Sequence, residues 1–193
     1  MGSLVDDLLH LARLDQGRPL ERAPVDLVSL VEDAAQDAQA VAPDRTIDVV
    51  TRGAVVVQGD HSRLHQVVAN LVGNALVHAP GAPIEIRVRT EGNLAVIEVA
   101  DGGPGMSDAD AARAFERFYR ADASRSRHQG GSGLGLSIVE ATIRAHGGRT
   151  SITTAPGAGT TIRVELPVEA ALPTPDAVSS PPPGSSPAAP SAP

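Results

Sequence analysis

The segment that most limits what this chain can fold into runs from residue 61 to 78. Asp60 precedes it as a side-chain cap for the first free N–H groups, and Ala79-Pro80-Gly81 closes it. From Gln66 it reads QVVANLVGNALVH, mostly apolar, with Gln66, Asn70, Asn74 and His78 recurring every four residues. That interval sets the four on one stripe of a helix. Asparagine lowers helix propensity and is costly to bury without partners. The stripe is therefore either a row turned to solvent or a row that meets a ligand, and the helix alone does not separate the two.

Around this helix the pattern predicts an α/β sandwich. Asp26 caps a helix reaching about Ala42, stopped by Pro43. Residues 46–50 and 54–58 are short β-branched runs on either side of Gly53, which predicts a hairpin. Residues 84–89 and 94–100 predict two strands around Glu91-Gly92-Asn93; the first alternates Ile84, Ile86, Val88 against Glu85, Arg87, Arg89. A short helix near 107–118, a helix over 133–146 and a last strand pair, 150–154 and 160–166, follow. The sum is one mixed, largely antiparallel sheet with helices on one face. Only 2% of the residues are aromatic, so the core must be aliphatic: Val, Leu, Ile and Ala.

Two flanking segments read differently from the body at 23–168. Residues 4–16, with Leu4, Leu8, Leu11 and Val5, Leu9 at helical spacing, predict a short helix that needs a partner for its apolar face. Residues 169–193 hold eight of the sixteen prolines, with Ser and Ala between them, a composition that predicts a disordered tail.

Composition also excludes several chemistries. There are no cysteines, hence no disulfide, thiol nucleophile or Cys-bound zinc. A net charge of −7 argues against a general nucleic-acid binder. No run approaches the roughly 18 apolar residues of a membrane span, and Asp6 and Asp7 interrupt any signal-peptide core. A cytoplasmic location without membrane contact is expected.

Three further motifs carry chemistry. Asp101-Gly102-Gly103-Pro104-Gly105 follows a strand directly. Beyond a plain turn, it offers glycines that let a backbone approach a ligand closely and a carboxylate able to accept from an exocyclic amine such as adenine N6. Gly130-Gly131-Ser132-Gly133-Leu134-Gly135-Leu136 opens a helix, where free N–H groups attract anions. It lacks the Gly-Lys-Ser/Thr ending of a P-loop and the preceding strand of a dinucleotide fingerprint. Between the two lie Phe115-Glu116-Arg117-Phe118-Tyr119 and a basic stretch with Arg120, Arg125, Arg127 and His128, an arrangement that fits a lid over phosphates. On the ligand reading of the asparagine stripe, its side-chain oxygens help hold a Mg²⁺, since magnesium prefers oxygen ligands, keeps several waters and is shared with substrate phosphates.

In this order the motifs resemble the catalytic domain of sensor histidine kinases, within the ATPase superfamily shared with gyrase, Hsp90 and MutL. Asn70-Leu71-Val72-Gly73-Asn74-Ala75 resembles the N box, and Asp101-Gly102-Gly103-Pro104-Gly105 the first glycine box. Phe115-Glu116-Arg117-Phe118-Tyr119-Arg120 resembles the F box, and Gly131-Ser132-Gly133-Leu134-Gly135-Leu136 the second glycine box. Gly159-Thr160-Thr161 with Leu166-Pro167 resembles the closing strand. Each box is weak by itself; four in order are specific.

The resemblance implies a Bergerat-type fold that binds ATP and Mg²⁺. Asn74 would ligand the metal, with Asn70 assisting at the phosphates. Asp101 would take the adenine amine, and Gly103 and Gly105 would shape the base pocket. Gly131, Gly133 and Gly135, with Leu134, would form the lid hinge and phosphate cradle. His78 and Thr160 would lie beside the nucleotide, and Arg125 or Arg127 would reach the γ-phosphate. Val77 departs from the family, which often carries Lys or Arg there, and removes one phosphate contact. Residues 1–18 resemble the end of a dimerisation-hairpin helix. None of the six histidines sits in the acceptor pattern, so the implied reaction transfers the γ-phosphoryl to a histidine outside this chain, on a dimerisation domain in cis or in trans, and a response regulator follows downstream. The alternatives are a nucleotide-binding regulatory module or an anti-sigma-type serine kinase on the same fold.

Overall fold

The computed structural model describes residues 20–120 and 132–168. The predicted helix at 4–16, the tail at 169–193, and Arg125, Arg127 and Gly131 lie outside the described residues.

The elements in chain order are β1 (Ala23–Asp26), α1 (Leu27–Val41), β2 (Ile47–Thr51), β3 (Val56–Gly59), α2 (His61–His78), β4 (Ile84–Glu91), β5 (Leu94–Asp101), α3 (Asp108–Arg113), α4 (Gly135–Ala145), β6 (Arg149–Thr154) and β7 (Thr160–Pro167). Both expected caps are made. Asp26 accepts from the Val28 N–H at 2.9 Å, and Asp60 from the Arg63 N–H at 3.1 Å. α1 buries Leu27, Leu30, Val31, Ala34 and Ala35; α2 buries Leu64, Val67, Val68, Leu71, Val72 and Ala75. Both sets follow the three-and-four spacing of a single helical face.

The main sheet has the order β2-β4-β5-β7-β6, with β2 parallel to β4 and every other pair antiparallel. Its inner face presents Ile84, Ile86 and Val88 from β4, Ala95, Ile97 and Val99 from β5, and Ile162, Val164 and Leu166 from β7. These join the apolar faces of α1, α2 and α4 in one cluster, so the helices cover one face of the sheet as the pattern predicts. The aliphatic core holds without a fully buried aromatic ring.

The other face of the sheet is polar. Arg89 grips Glu98 through two nitrogens at 2.8 and 2.9 Å, and Arg163 reaches Glu98 and Glu165 at 2.8 Å each. The Arg89 guanidinium foremost, then Arg163, holds the Glu98 carboxyl down to about 2.

The expected hairpin across Gly53 does not form. β2 enters the five-stranded sheet beside β4, while β3 pairs with β1 in a separate two-stranded sheet. Both runs have the right residue types, but alternation says only that a strand has two faces, and partner choice is non-local. Ile47 and Val49 pack against the core under α1, and the Arg52 N–H bonds the Val88 carbonyl at 3.1 Å, which carries the chain along β4 and away from β3. The short helix expected near 107–118 is confined to Asp108–Arg113 and is capped by Ser107.

Candidate nucleotide site

Three of the four motif segments meet at one end of the sheet. α2 brings Asn70, Asn74 and His78 along one side, and the first two are half-buried, so the stripe is not simply a solvent-facing row. The Asn70 amide nitrogen is buried without a hydrogen-bond partner. Leaving such a donor unmet costs about 1–3 kcal/mol, so the amide contributes nothing to the fold through that group. Gly135, the first residue of α4, faces it: a Cβ built there would lie 4.0 Å from Asn70 Cγ. Ser132 Oγ accepts the N–H of Leu134, the cap residue, at 3.3 Å, but among the described residues no side chain caps the N–H groups within α4, which open beside Asn70.

β5 delivers Asp101 to the same end. One carboxylate oxygen accepts the Gly103 N–H at 2.9 Å, which fixes the carboxylate's direction. Gly103 cannot carry a side chain, because a Cβ would stand 2.7 Å from Ala79 Cβ and 2.7 Å from Asp101 Oδ1. The end of α2 and the glycine loop thus close on each other. Gly105 has φ +66°, and a Cβ there would overlap the Ala155 carbonyl.

The loop is fastened to the β6–β7 turn. Met106 N–H donates to Thr154 Oγ1 at 3.0 Å, Thr154 Oγ1 donates to the Gly159 carbonyl at 2.8 Å, and Gly157 N–H donates to the Pro104 carbonyl at 2.7 Å. Thr160 pairs with Asp101 in the sheet, and its hydroxyl lies 3.1 Å from that of Thr154. Thr160 is buried behind the loop. Leu134 is fully buried with Ile138, so its side chain is a packing element.

Crowding by the protein lowers the His78 pKa, although part of the ring remains exposed; the Asp101 carboxylate opposes that shift and Arg120 adds to it. The imidazole is therefore neutral at pH 7 and shares a neighbourhood with Asp101.

The aromatic segment divides its labour. Phe115 packs against the main core, while Phe118 is 59% exposed with φ 64°, a conformation costly for a bulky residue. Phe118 N–H donates to the Gly133 carbonyl at 2.9 Å, which ties the F-box segment to the second glycine segment. Tyr119 donates its hydroxyl to Asp110 at 2.6 Å beneath the Arg113 guanidinium, 4.1 Å above the ring. Ser107 donates to the other Asp110 oxygen, and these two bonds, that of Ser107 foremost, hold the Asp110 carboxyl below its usual range.

Sequence reasoning missed Thr154 and Arg45. Thr154 carries no local signal, since a threonine in a strand is ordinary. Arg45 lies in the α1–β2 turn, yet its guanidinium donates to backbone carbonyls at the end of α2.

A family model described as histidine kinase-, DNA gyrase B-, and HSP90-like ATPase matches residues 59–170. The probable sensor histidine kinase TcrY of Mycobacterium tuberculosis is 47% identical over 173 residues, covering 88% of this chain and 36% of that protein. The signal transduction histidine-protein kinase BaeS of Escherichia coli is 38% identical over 173 residues, covering 88% of this chain and 37% of that protein. The chain thus spans about a third of the length of these curated relatives. Among solved structures, full-length ShkA in complex with AMPPNP superposes with a TM-score of 0.74 at 31% identity, covering 86% of this chain and 35% of that one. The mycobacterial sensor histidine kinase MprB gives 0.67 at 29% identity, covering 76% and 97%.

Proposed function

The chain belongs to the histidine kinase-, DNA gyrase B- and HSP90-like ATPase family, and from that premise we propose that it is the ATP-binding catalytic domain of a sensor histidine kinase. The observation that carries the reading is the meeting of a partnerless buried Asn70 amide, an uncapped α4 N-terminus and a preset Asp101 carboxylate at one end of the sheet.

The residues fit the nucleotide. The second carboxylate oxygen of Asp101 would accept the adenine amino N–H, and Gly103, close against Ala79, would border the base pocket. A guanine presents a carbonyl at the same position and would face the carboxylate's charge. Gly133 and Gly135 would bring the start of α4 to the phosphates, Asn70 would find its acceptor there, and Gly131, Arg125 and Arg127 would act from the lid side. His78 would pack beside the nucleotide. Gly105 would support the base pocket, while Thr160 and Leu134 would act through the backbone they hold.

Mg²⁺ would be held by Asn74 with the phosphates and water. Magnesium is commonly shared between one or two side chains and substrate phosphates, so a single asparagine oxygen would serve. Bound there, it would supply charge neutralisation on the phosphates.

The reaction is phosphoryl transfer. An acceptor imidazole nitrogen bonds to the γ-phosphorus as the bond to the ADP oxygen breaks. None of the six histidines carries the acidic neighbour and proline of the family's acceptor pattern. By that likeness the acceptor would be a histidine on a dimerisation domain outside this chain, and a response regulator would receive the phosphoryl group next. The likeness to sensor histidine kinases leads us to place the domain in the cytoplasm; no described helix is long and apolar enough to cross a membrane.

Calorimetry with a non-hydrolysable ATP analogue, with and without Mg²⁺, is the direct test. Saturable, Mg²⁺-dependent binding that Asp101→Asn weakens is expected, together with label transfer from ATP to an added dimerisation-domain polypeptide. Binding unaffected by Asp101→Asn, or no transfer to any acceptor, would overturn the assignment.

A further inference from the structure

We propose that Arg45 is a positioning residue for the adenine end of the site, an inference that rests on the ATP reading above. Arg45 is half-buried, and its guanidinium gathers three carbonyls of one short stretch: Leu76 at 3.3 Å, Ala79 at 2.7 Å and Ala82 at 2.7 Å. Those carbonyls belong to the last turn of α2 and the turn that follows. A helix end leaves its final carbonyls without internal partners and carries partial negative charge. A planar, always-charged fork is suited to bind several of them at once, which an ammonium group does less well.

The turn that carries Arg45 is itself held. Gln39 on α1 donates to the carbonyls of Pro43 and Arg45 at 2.9 Å each. The strut therefore runs from α1 through Gln39 to the α1–β2 turn, and through the guanidinium to the 79–83 segment.

That segment is the wall of the Asp101 loop. Gly102 N–H donates to the Pro83 carbonyl at 3.3 Å. A Cβ on Gly102 would lie 3.6 Å from Ala82 Cβ, and one on Gly103 would lie 2.7 Å from Ala79 Cβ. Arg45 thus acts on the residue that fixes Asp101, at one remove and without touching the nucleotide. Freed of the guanidinium, the 79–83 segment gains room to move, Gly103 loses its stop, and the carboxylate loses its fixed direction.

The test compares Arg45→Met and Arg45→Lys with Glu98→Gln, which weakens the ion pairs on the opposite face of the sheet and touches nothing in the site. ATP and GTP affinities are measured by calorimetry, thermal midpoints by melting, and amide exchange at Gly102 and Gly103 by mass spectrometry on the nucleotide-free protein. Arg45→Met is expected to bind ATP roughly tenfold more weakly, with the ATP-over-GTP preference reduced and exchange at Gly102 and Gly103 faster. Arg45→Lys, which keeps the charge but not the fork, falls between, and serves alone if the Met variant fails to fold. Glu98→Gln lowers the midpoint with the ATP-over-GTP preference intact. Unchanged base preference in both Arg45 variants, or the same loss of preference in Glu98→Gln, overturns the proposal. Wild-type protein that binds neither nucleotide would instead bring down the ATP reading, whatever the exchange data show.

Discussion

Gly103→Ala is the sharpest probe of the site, because one methyl group meets two different neighbours. The new Cβ would stand 2.7 Å from Ala79 Cβ, 3.0 Å from Ala79 Cα and 2.7 Å from Asp101 Oδ1. Carbon contacts are comfortable at about 3.5–4.0 Å, so roughly 1 Å must be recovered on each side. The Ala79 side has little slack, since that residue is fully buried and its carbonyl is bound to Arg45 at 2.7 Å. The Asp101 carboxylate can rotate, at the expense of its 2.9 Å bond from Gly103 N–H. The methyl group should therefore cost about 1–3 kcal/mol of stability as overpacking. It should also misdirect the carboxylate, and a hydrogen bond involving a charged group contributes about 1.5–3 kcal/mol, so ATP affinity should fall by roughly tenfold to a hundredfold. Urea denaturation measures the first effect and calorimetry the second. Gly73→Ala is the matched control: it lies within α2, a Cβ there meets nothing within 4 Å, and removing a helix-interior glycine should raise stability by about 0.5–1 kcal/mol. Full stability and full affinity in Gly103→Ala would refute the close-contact reasoning.

Asn70→Leu should stabilise the nucleotide-free protein, because it removes a buried donor that has no partner, while abolishing nucleotide binding; a destabilised variant that still binds ATP would show that the amide serves the fold instead. Stability should also decline as pH falls below about 6.5. Burial lowers the His146 pKa, and its Nε2 must stay unprotonated to accept the Asp60 N–H at 3.0 Å, while Nδ1–H donates to the Thr142 carbonyl at 2.8 Å. Below its ordinary pKa the unfolded imidazole takes a proton that the folded one refuses, so the loss runs from there down to the lowered folded value. The denaturation midpoint of His146→Gln should fall less between pH 7 and pH 5 than that of the parent, with the His78 contribution remaining in both; equal slopes would remove His146 as the source.

Much of the fold was legible because its signals are local. Asp26 and Asp60 announce helices within a few residues of where they act, and the Ile84, Ile86, Val88 alternation names the buried face of β4 without reference to any other segment. The four motif segments were likewise legible as residue types in order. Pairing was not: residues on both sides of Gly53 have strand character, and only the competing surfaces of β4 and β1 decide which strand each one joins. The same holds for the site. That Gly103 is pressed against Ala79 and that Arg45 braces the end of α2 are relations between residues 24 to 37 positions apart, and that Asn70 lacks a partner depends on everything packed around it. The sequence by itself determined which segments form elements and which residues are chemically equipped, since propensity, capping and periodicity act over one or two turns. Tertiary structure alone decided which equipped residues face one another, since burial and hydrogen bonding depend on what the rest of the chain places alongside.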